Sequence, residues 1–466
     1  MKHGISLLLA CALALPVLAQ EPAETDPFPT GEIVDPVACL ADPSQTYALY
    51  LPAGYSAERQ WPVLLVFDPR ARGTAAAEIF LEGAREHGWL ILSSNNTRSD
   101  SSWQPNVKAV NAMLPELGGR WAVDPERVYA AGFSGGAHVA WSVGVETQRL
   151  AGVISSGGRV DPAWMVDEIP FASYGTVGTT DFNHAGMHTV DEHFGSRGAP
   201  HRLEVFEGPH RWLSSEMATE AIGWMEVVAM RQGRRPVDRA VAARLLAADL
   251  ERAAELEVAG RVVAAFARYR AIVRTYAGWP EVEPFDVSEA SERVAALEGS
   301  KELRAERKER RRWDLYEQGY RQRLGQTIAR IRDVDQPMPT GRVLRELEIG
   351  RLQKQLEKGG YAAVAAERML ETAYTQTAFY LMRDFLGSQQ NKRAAVVLEV
   401  ATEIKPEQPG PWYNLACARA REGEKKEALE ALRRAVDQGY TNFEQIRADP
   451  DLQSLHDEDG WAEIVG

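Results

Sequence analysis

Short apolar runs separated by glycine- and proline-bearing turns mark the first half of the chain: Pro62 to Phe67, Trp89 to Ser93, Arg127 to Ala131, Gly152 to Ser156, Phe171 to Val177 and Arg202 to Phe206. Runs of that length bounded by turn signals predict buried strands. The helix-length segments between them predict a doubly wound α/β sheet. After about Arg235 the alternation stops. Val237 to Leu256 and Arg261 to Tyr276 predict a helical hairpin, in which Val263, Phe266, Tyr269, Ile272 and Val273 recur at helical spacing. Pro280 and Pro284 break it. Ser288 to Arg332 predicts a charged helical stretch, and its mixed-sign run from Lys301 to Arg312 reads as a solvated face rather than a binding tract.

The last hundred residues repeat themselves. Leu381, Ala394, Leu398 and Ala401 are matched by Leu415, Ala428, Leu432 and Ala435 at a period of 34 residues. Pro406 and Trp412 fall where the tetratricopeptide pattern also places marked residues. The segment resembles tetratricopeptide repeats, which implies an all-α array that buries a core only when units stack. Such arrays imply a protein partner; the alternative is an appendage that stabilises its neighbour. The expected organisation is a leader over 1–19, an α/β domain over 20–235, a helical linker with the charged helix over 236–335, and repeats over 336–466.

The sequence of 466 residues is too long for one ordinary core. Its net charge of −13 excludes a polyanion such as nucleic acid as the expected partner. Lys2 and His3 precede the apolar run Ile5 to Leu18, and Val17-Leu18-Ala19 before Gln20 offers the small residues a signal peptidase reads. That predicts a secreted or periplasmic protein without a transmembrane segment, and Cys11 gives only a faint lipoprotein box. With the leader removed, Cys39 and Cys417 remain, expected as two unrelated buried thiols.

The chemistry starts at Gly132-Phe133-Ser134-Gly135-Gly136, a G-x-S-x-G directly after a strand-like run. Small residues two before and two after the serine allow a sharp strand-to-helix turn that exposes Ser134 Oγ at the sheet's carboxyl edge. A base and an acid are then required. Asp181 ends the turn after Phe171 to Val177, and His210 sits in the Gly-Pro loop after Arg202 to Phe206. Each follows a strand, and the order serine, acid, histidine is that of α/β-hydrolases. Asp161, after Gly152 to Ser156, is the rival acid. His184, His188 and His193 sit at helical spacing, and no HExxH surrounds the first two, so no metal and no cofactor is expected.

Residues from about Tyr47 to Met230 resemble the α/β-hydrolase superfamily, nearest the secreted esterases of the polyhydroxybutyrate depolymerase, feruloyl esterase and dienelactone hydrolase type. The resemblance implies a nucleophile at Ser134, an acid at Asp181, a base at His210, and an oxyanion hole with one donor from Gly135. The second donor comes from the loop after the third strand, Asp68-Pro69-Arg70-Ala71-Arg72-Gly73. Pro69 has no N–H, so Arg70 is the expected donor, with Ala71 behind it. Trp103, Trp212 and Trp141 are candidates for an apolar substrate wall. Arg70 and Arg72 offer guanidiniums to an anionic substrate group, or to Asp68. Asn95 and Asn96 face the same edge. The expected activity is that of a carboxylic ester hydrolase; the alternatives are a serine peptidase, or a catalytically weak platform whose repeats bind a protein.

Overall fold

The computed structural model describes residues 28–99, 102–158, 160, 164–279, 286–333 and 337–465. The leader, Cys11 and the rival acid Asp161 lie outside the described residues. The chain divides into two compact units, one ending at Glu306 and the other beginning at Arg307.

The first unit is built on eight strands: β1 (Ile33–Ala38), β2 (Thr46–Tyr50), β3 (Trp61–Phe67), β4 (Leu90–Ser94), β5 (Val123–Phe133), β6 (Gly152–Ser156), β7 (Ala172–Gly178) and β8 (His201–Phe206). They lie in the order β1-β2-β4-β3-β5-β6-β7-β8. β1 pairs antiparallel with β2, and β2 antiparallel with β4; every other neighbouring pair is parallel. β3 is buried at every residue, as a central parallel strand covered on both faces must be. Pro36 sits in β1, an edge strand where a missing ladder donor is tolerated.

Helices cover both faces. α1 (Gly73–His87) and α6 (Ser215–Arg231) pack on one through Phe80, Ile222 and Met225. α2 (Gln104–Met113), α4 (Gly135–Thr147) and α5 (His184–Ser196) pack on the other through Val110, Val139 and Phe194; a short turn of helix, α3 (Glu116–Gly119), follows α2. The sheet is therefore doubly wound, as its alternation of apolar runs and helix-length segments predicts.

Three further helices belong to the same unit: α7 (Arg239–Val258), α8 (Val262–Tyr276) and α9 (Ser288–Gly299). Asp238 caps α7 by accepting from the N–H groups of Ala240 and Val241. Phe266, Tyr269 and Ile272 of α8 share a core with Val227 and Met230 of α6. Segments 236–279 and 286–306, which follow the end of strand alternation in the sequence, thus pack with the α/β layers. A buried ion network fastens it. Asp249 of α7 accepts from Arg202 of β8 at 2.7 and 3.1 Å and from Arg268 of α8 at 2.7 Å. Glu204 binds the same two arginines at 2.7 and 2.8 Å.

The division between the units falls within α10 (Lys301–Asp333). The charged stretch is thus two helices, separated at Ser300. The second unit is helical. Leu381, Ala394, Leu398, Ala401, Leu415, Ala428, Leu432 and Ala435 are all buried. Cys417 is buried there and Cys39 in the first unit, both as free thiols. No helix among the described residues is long and apolar enough to cross a membrane.

Candidate active site

The elbow is enforced by steric necessity. Ser134 holds φ 51° and ψ −119°, a conformation that a non-glycine residue adopts only under constraint from its surroundings. A Cβ on Gly132 would lie 2.1 Å from the Gly136 carbonyl oxygen, and one on Gly136 would lie 1.9 Å from the Phe67 carbonyl oxygen. The G-x-S-x-G spacing is therefore demanded at both ends by backbone on backbone. Ser134 N–H donates to the Ser156 carbonyl at 2.9 Å, tying the elbow to the end of β6.

His210 and Asp181 meet at the ends of β8 and β7. His210 Nδ1 lies 2.8 Å from Asp181 Oδ2. A carboxylate only accepts, so Nδ1 carries the proton and the Nε2 lone pair is left to act as a base. The other oxygen, Oδ1, accepts from Asn183 N–H at 2.7 Å, and Asp181 is wholly buried. The imidazole is held between Phe133 and Phe182, at ring-centroid distances of 4.5 and 4.4 Å. Gly157 and Gly158 run between this pair and the elbow. A Cβ on Gly157 would lie 2.8 Å from Asp181 Oδ2 and 3.0 Å from His210 Nδ1; one on Gly158 would lie 2.9 Å from the Ser134 carbonyl oxygen. The structure thus brings Ser134, Asp181 and His210 to one place on the carboxyl edge, with Gly135 opening α4 beside them.

The loop after β3 folds back on the carboxylate of its own first residue. Arg70 N–H, the expected second oxyanion donor, donates to Asp68 Oδ1 at 2.8 Å, and Ala71 N–H donates to the Asp68 carbonyl at 3.3 Å. Both are engaged within their own loop. Arg72 is committed to Asp68 as well, through Nε at 3.0 Å and Nη2 at 2.8 Å. Its guanidinium is the loop's internal counter-ion, the pairing with Asp68 that the sequence left open. Trp212, a candidate for the substrate wall, donates its indole N–H to Asp68 Oδ2 at 2.9 Å. Burial works to raise the Asp68 carboxyl, and donation from Arg72, Trp212 and Arg70 outweighs it, holding the group below the usual carboxylate range.

Trp103 stays near the site as part of an aromatic cluster. Its ring is 6.1 Å from Trp164, which is 6.4 Å from His138, one turn along α4 from Ser134. Trp141 lies in the core, edge-on to Phe171 and Phe194 at 5.4 Å. Asn95 and Asn96 are spent on structure: Asn95 donates to Asp35 at 2.6 Å, and Asn96 accepts from Thr46 N–H at 2.8 Å. His184 and His188 are ring neighbours at 4.6 Å on α5.

Sequence reasoning passed over several residues here. Ser99 lies against the residue after Ser134, since a Cβ on Gly135 would meet Ser99 Cβ at 2.3 Å. Arg98 stands directly opposite Arg70 in an isolated antiparallel bridge, both exposed. Phe133 and Phe182 are legible in retrospect, as the residues adjoining Ser134 and Asp181. Nothing in the sequence around Ser99 distinguishes it from its serine and asparagine neighbours.

No family model and no curated protein sequence matches the chain. Solved structures similar to it include a thermostable esterase at 18% identity and TM-score 0.35, a match covering 41% of this chain and 62% of that one. A ferulic acid esterase matches at 15% identity and TM-score 0.35, over 42% of this chain and 98% of that one. Esterase B of Lactobacillus rhamnosis matches at 14% identity and TM-score 0.36, over 45% and 90% respectively. The chain thus spans less than two thirds of the first of these.

Proposed function

We propose that the chain is a serine hydrolase that cleaves carboxylic esters through an acyl-enzyme on Ser134. The observation that carries this reading is the His210–Asp181 pair at 2.8 Å beside a serine held at φ 51°. Burying a carboxylate and aiming it at an imidazole next to a strained serine costs stability. That cost has a purpose if the imidazole is a base. His210 Nε2 takes the Ser134 hydroxyl proton as Oγ bonds to the ester carbonyl carbon. The tetrahedral oxyanion takes the Gly135 N–H, at the amino end of α4 where the helix dipole favours negative charge. Collapse breaks the ester C–O bond, and His210 returns the proton to the departing alcohol. Water, deprotonated by His210, then releases the acid and restores Ser134.

Arg70 is the proposed second oxyanion donor and serves only when its N–H leaves Asp68 Oδ1. That engagement also favours the second reading, a catalytically weak hydrolase fold acting as a platform. Hydrolysis of short p-nitrophenyl esters by the full chain separates the two: turnover on the order of 1–1000 per second supports the enzyme, and a rate indistinguishable from Ser134→Ala supports the platform. The second unit, with its period of 34 residues, is proposed as an accessory tetratricopeptide-like module for a protein partner. The leader-like segment before Gln20 supports export to the periplasm or beyond.

A further inference from the structure

The chemistry of Ser134 and His210 leaves Asp68 without a role, although it is only 1% exposed and gathers donors from two loops. Arg70 N–H, the Arg72 side chain and Trp212 Nε1 all converge on its carboxylate. Trp212 is far away in sequence and two residues beyond His210. The Trp212 ring lies 5.6 Å from Phe133, and Phe133 lies 4.5 Å from His210. Phe80 closes the other side of Trp212 edge-on at 5.9 Å. The elbow touches the same strand end, since Gly136 abuts the Phe67 carbonyl. Just past Trp212, Leu213 N–H donates to Ser156 Oγ at 3.0 Å, and Thr176 Oγ1 donates to the same oxygen at 2.9 Å. The loop carrying His210 is therefore pinned at Leu213 by β6, and at Trp212 by Asp68.

We propose that Asp68 is a positioning residue: through Trp212 it fixes the His210 loop relative to the elbow, and through the Arg72 side chain it fixes the loop after β3 in the same frame, also when Arg70 N–H turns to the oxyanion. This rests on the hydrolase reading, because a platform has no imidazole to place. An apolar residue would fill the space at the end of β3 without the desolvation that a carboxylate costs. What a carboxylate adds is direction. Its two oxygens set the angle between the guanidinium N–H groups of one loop and an indole N–H in the other, and the tilted ring contacts from Trp212 through Phe133 to His210 pass that angle to the base. Arg72 supplies the neutralising charge, so the anchor adds no net charge beside the elbow.

The test compares Trp212→Phe, which keeps a ring and loses the N–H, with Asp68→Asn in the full chain; Asp249→Asn, in the distant ion network, serves as a control for lost stability. Steady-state hydrolysis of p-nitrophenyl butyrate and the rate of fluorophosphonate labelling are measured at 25 °C, with thermal unfolding alongside. An ångström of misplacement is worth about 100-fold in rate, so Trp212→Phe is expected to lower kcat by about 10- to 100-fold with KM changed less than about threefold. Asp68→Asn is expected to lower it further, and Asp249→Asn to lower Tm while kcat holds. Wild-type kcat and labelling in Trp212→Phe would overturn the proposal whether or not Asp68→Asn folds. So would an equal loss of kcat in Asp249→Asn. A wild-type chain that neither labels nor hydrolyses would defeat the hydrolase reading itself, and this proposal with it.

Discussion

Replacing Asp249 by Asn tests whether α7 to α9 are part of the machinery that keeps the sheet folded. Asp249 is nearly buried between two arginines whose side chains are 3% and 4% exposed. Its carboxyl is desolvated, which alone would raise it, but Arg202 and Arg268 hold it below the usual carboxylate range. The Asn variant keeps the volume and removes the charge, leaving the two arginines with Glu204, and Arg268 also with Glu220 at 3.1 Å. Breaking a buried ion pair costs roughly 3–5 kcal/mol. Because Glu204 still faces both guanidiniums, the lower end, about 3 kcal/mol, is expected. At about 2.1 cal/mol/K per residue, a unit that runs to Glu306 shifts by about 1.6 °C per kcal/mol, so Tm should fall by roughly 5 °C. Calorimetry of the full chain is the assay, with the transition of the first unit as the readout. A chain cut after Arg235 loses Asp249 and Arg268 together and uncovers Val227 and Met230, so it should be the less stable of the two. A folded (20–235) fragment with the wild-type transition, or Asp249→Asn with an unchanged Tm, would refute the coupling. The sign of the pH effect follows from the lowered carboxyl: the network stabilises above the unfolded-state value near 3.9 and is lost as pH falls through the folded one.

Asp181→Asn should leave folding intact and reduce kcat by about four orders of magnitude, because the amide no longer selects the Nδ1-protonated imidazole; esterase kinetics and circular dichroism on one preparation check it. Gly157→Ala should abolish turnover, since its Cβ would press on His210 Nδ1 and Asp181 Oδ2 at a residue whose φ is +54°; retained activity would show that the pair tolerates displacement. Burial pushes His87 down to about 4, against the pull of Glu86. Stability should therefore fall as pH drops from about 6.5, where the unfolded imidazole takes its proton, toward 4. His87→Gln should flatten that part of a denaturant-midpoint series against pH.

The central strands and the sharp turn at Ser134 were legible because their determinants are largely local. An unbroken apolar run such as Val63 to Phe67 has few options besides a strand covered on both faces, and the glycine at 132 answers a clash with Gly136 within five residues of chain, although Gly136 itself answers the remote Phe67 carbonyl. Asp181 and His210 were legible one step later, since a polar residue just past a strand's carboxyl end belongs to that edge. Ile33 to Ala38 was not. It is a partly exposed edge strand interrupted by a proline, without the apolar continuity that marks the others. The loop after β3 was legible only in part, for a related reason. Pro69 removes one donor in plain view, but the loss of Arg70 N–H to Asp68, and of Arg72 with it, depends on how the chain bends back on a carboxylate. The partner that completes that site, Trp212, is remote in sequence. Likewise nothing near Arg235 announces that Asp249 and Arg268 return to Arg202, because long-range ion pairs leave no periodicity.

Labelling by a fluorophosphonate probe tests the central claim most directly, because the probe reacts only with a serine activated by its surroundings and requires no knowledge of the natural substrate. The wild-type chain should be labelled stoichiometrically at Ser134, with the modified peptide located by mass spectrometry. Ser134→Ala should show no labelling, and His210→Ala should be labelled slower by orders of magnitude while keeping the wild-type circular dichroism spectrum. Wild-type labelling no greater than that of Ser134→Ala would contradict the account: the strained serine and its histidine–aspartate pair would then be a fold without the chemistry.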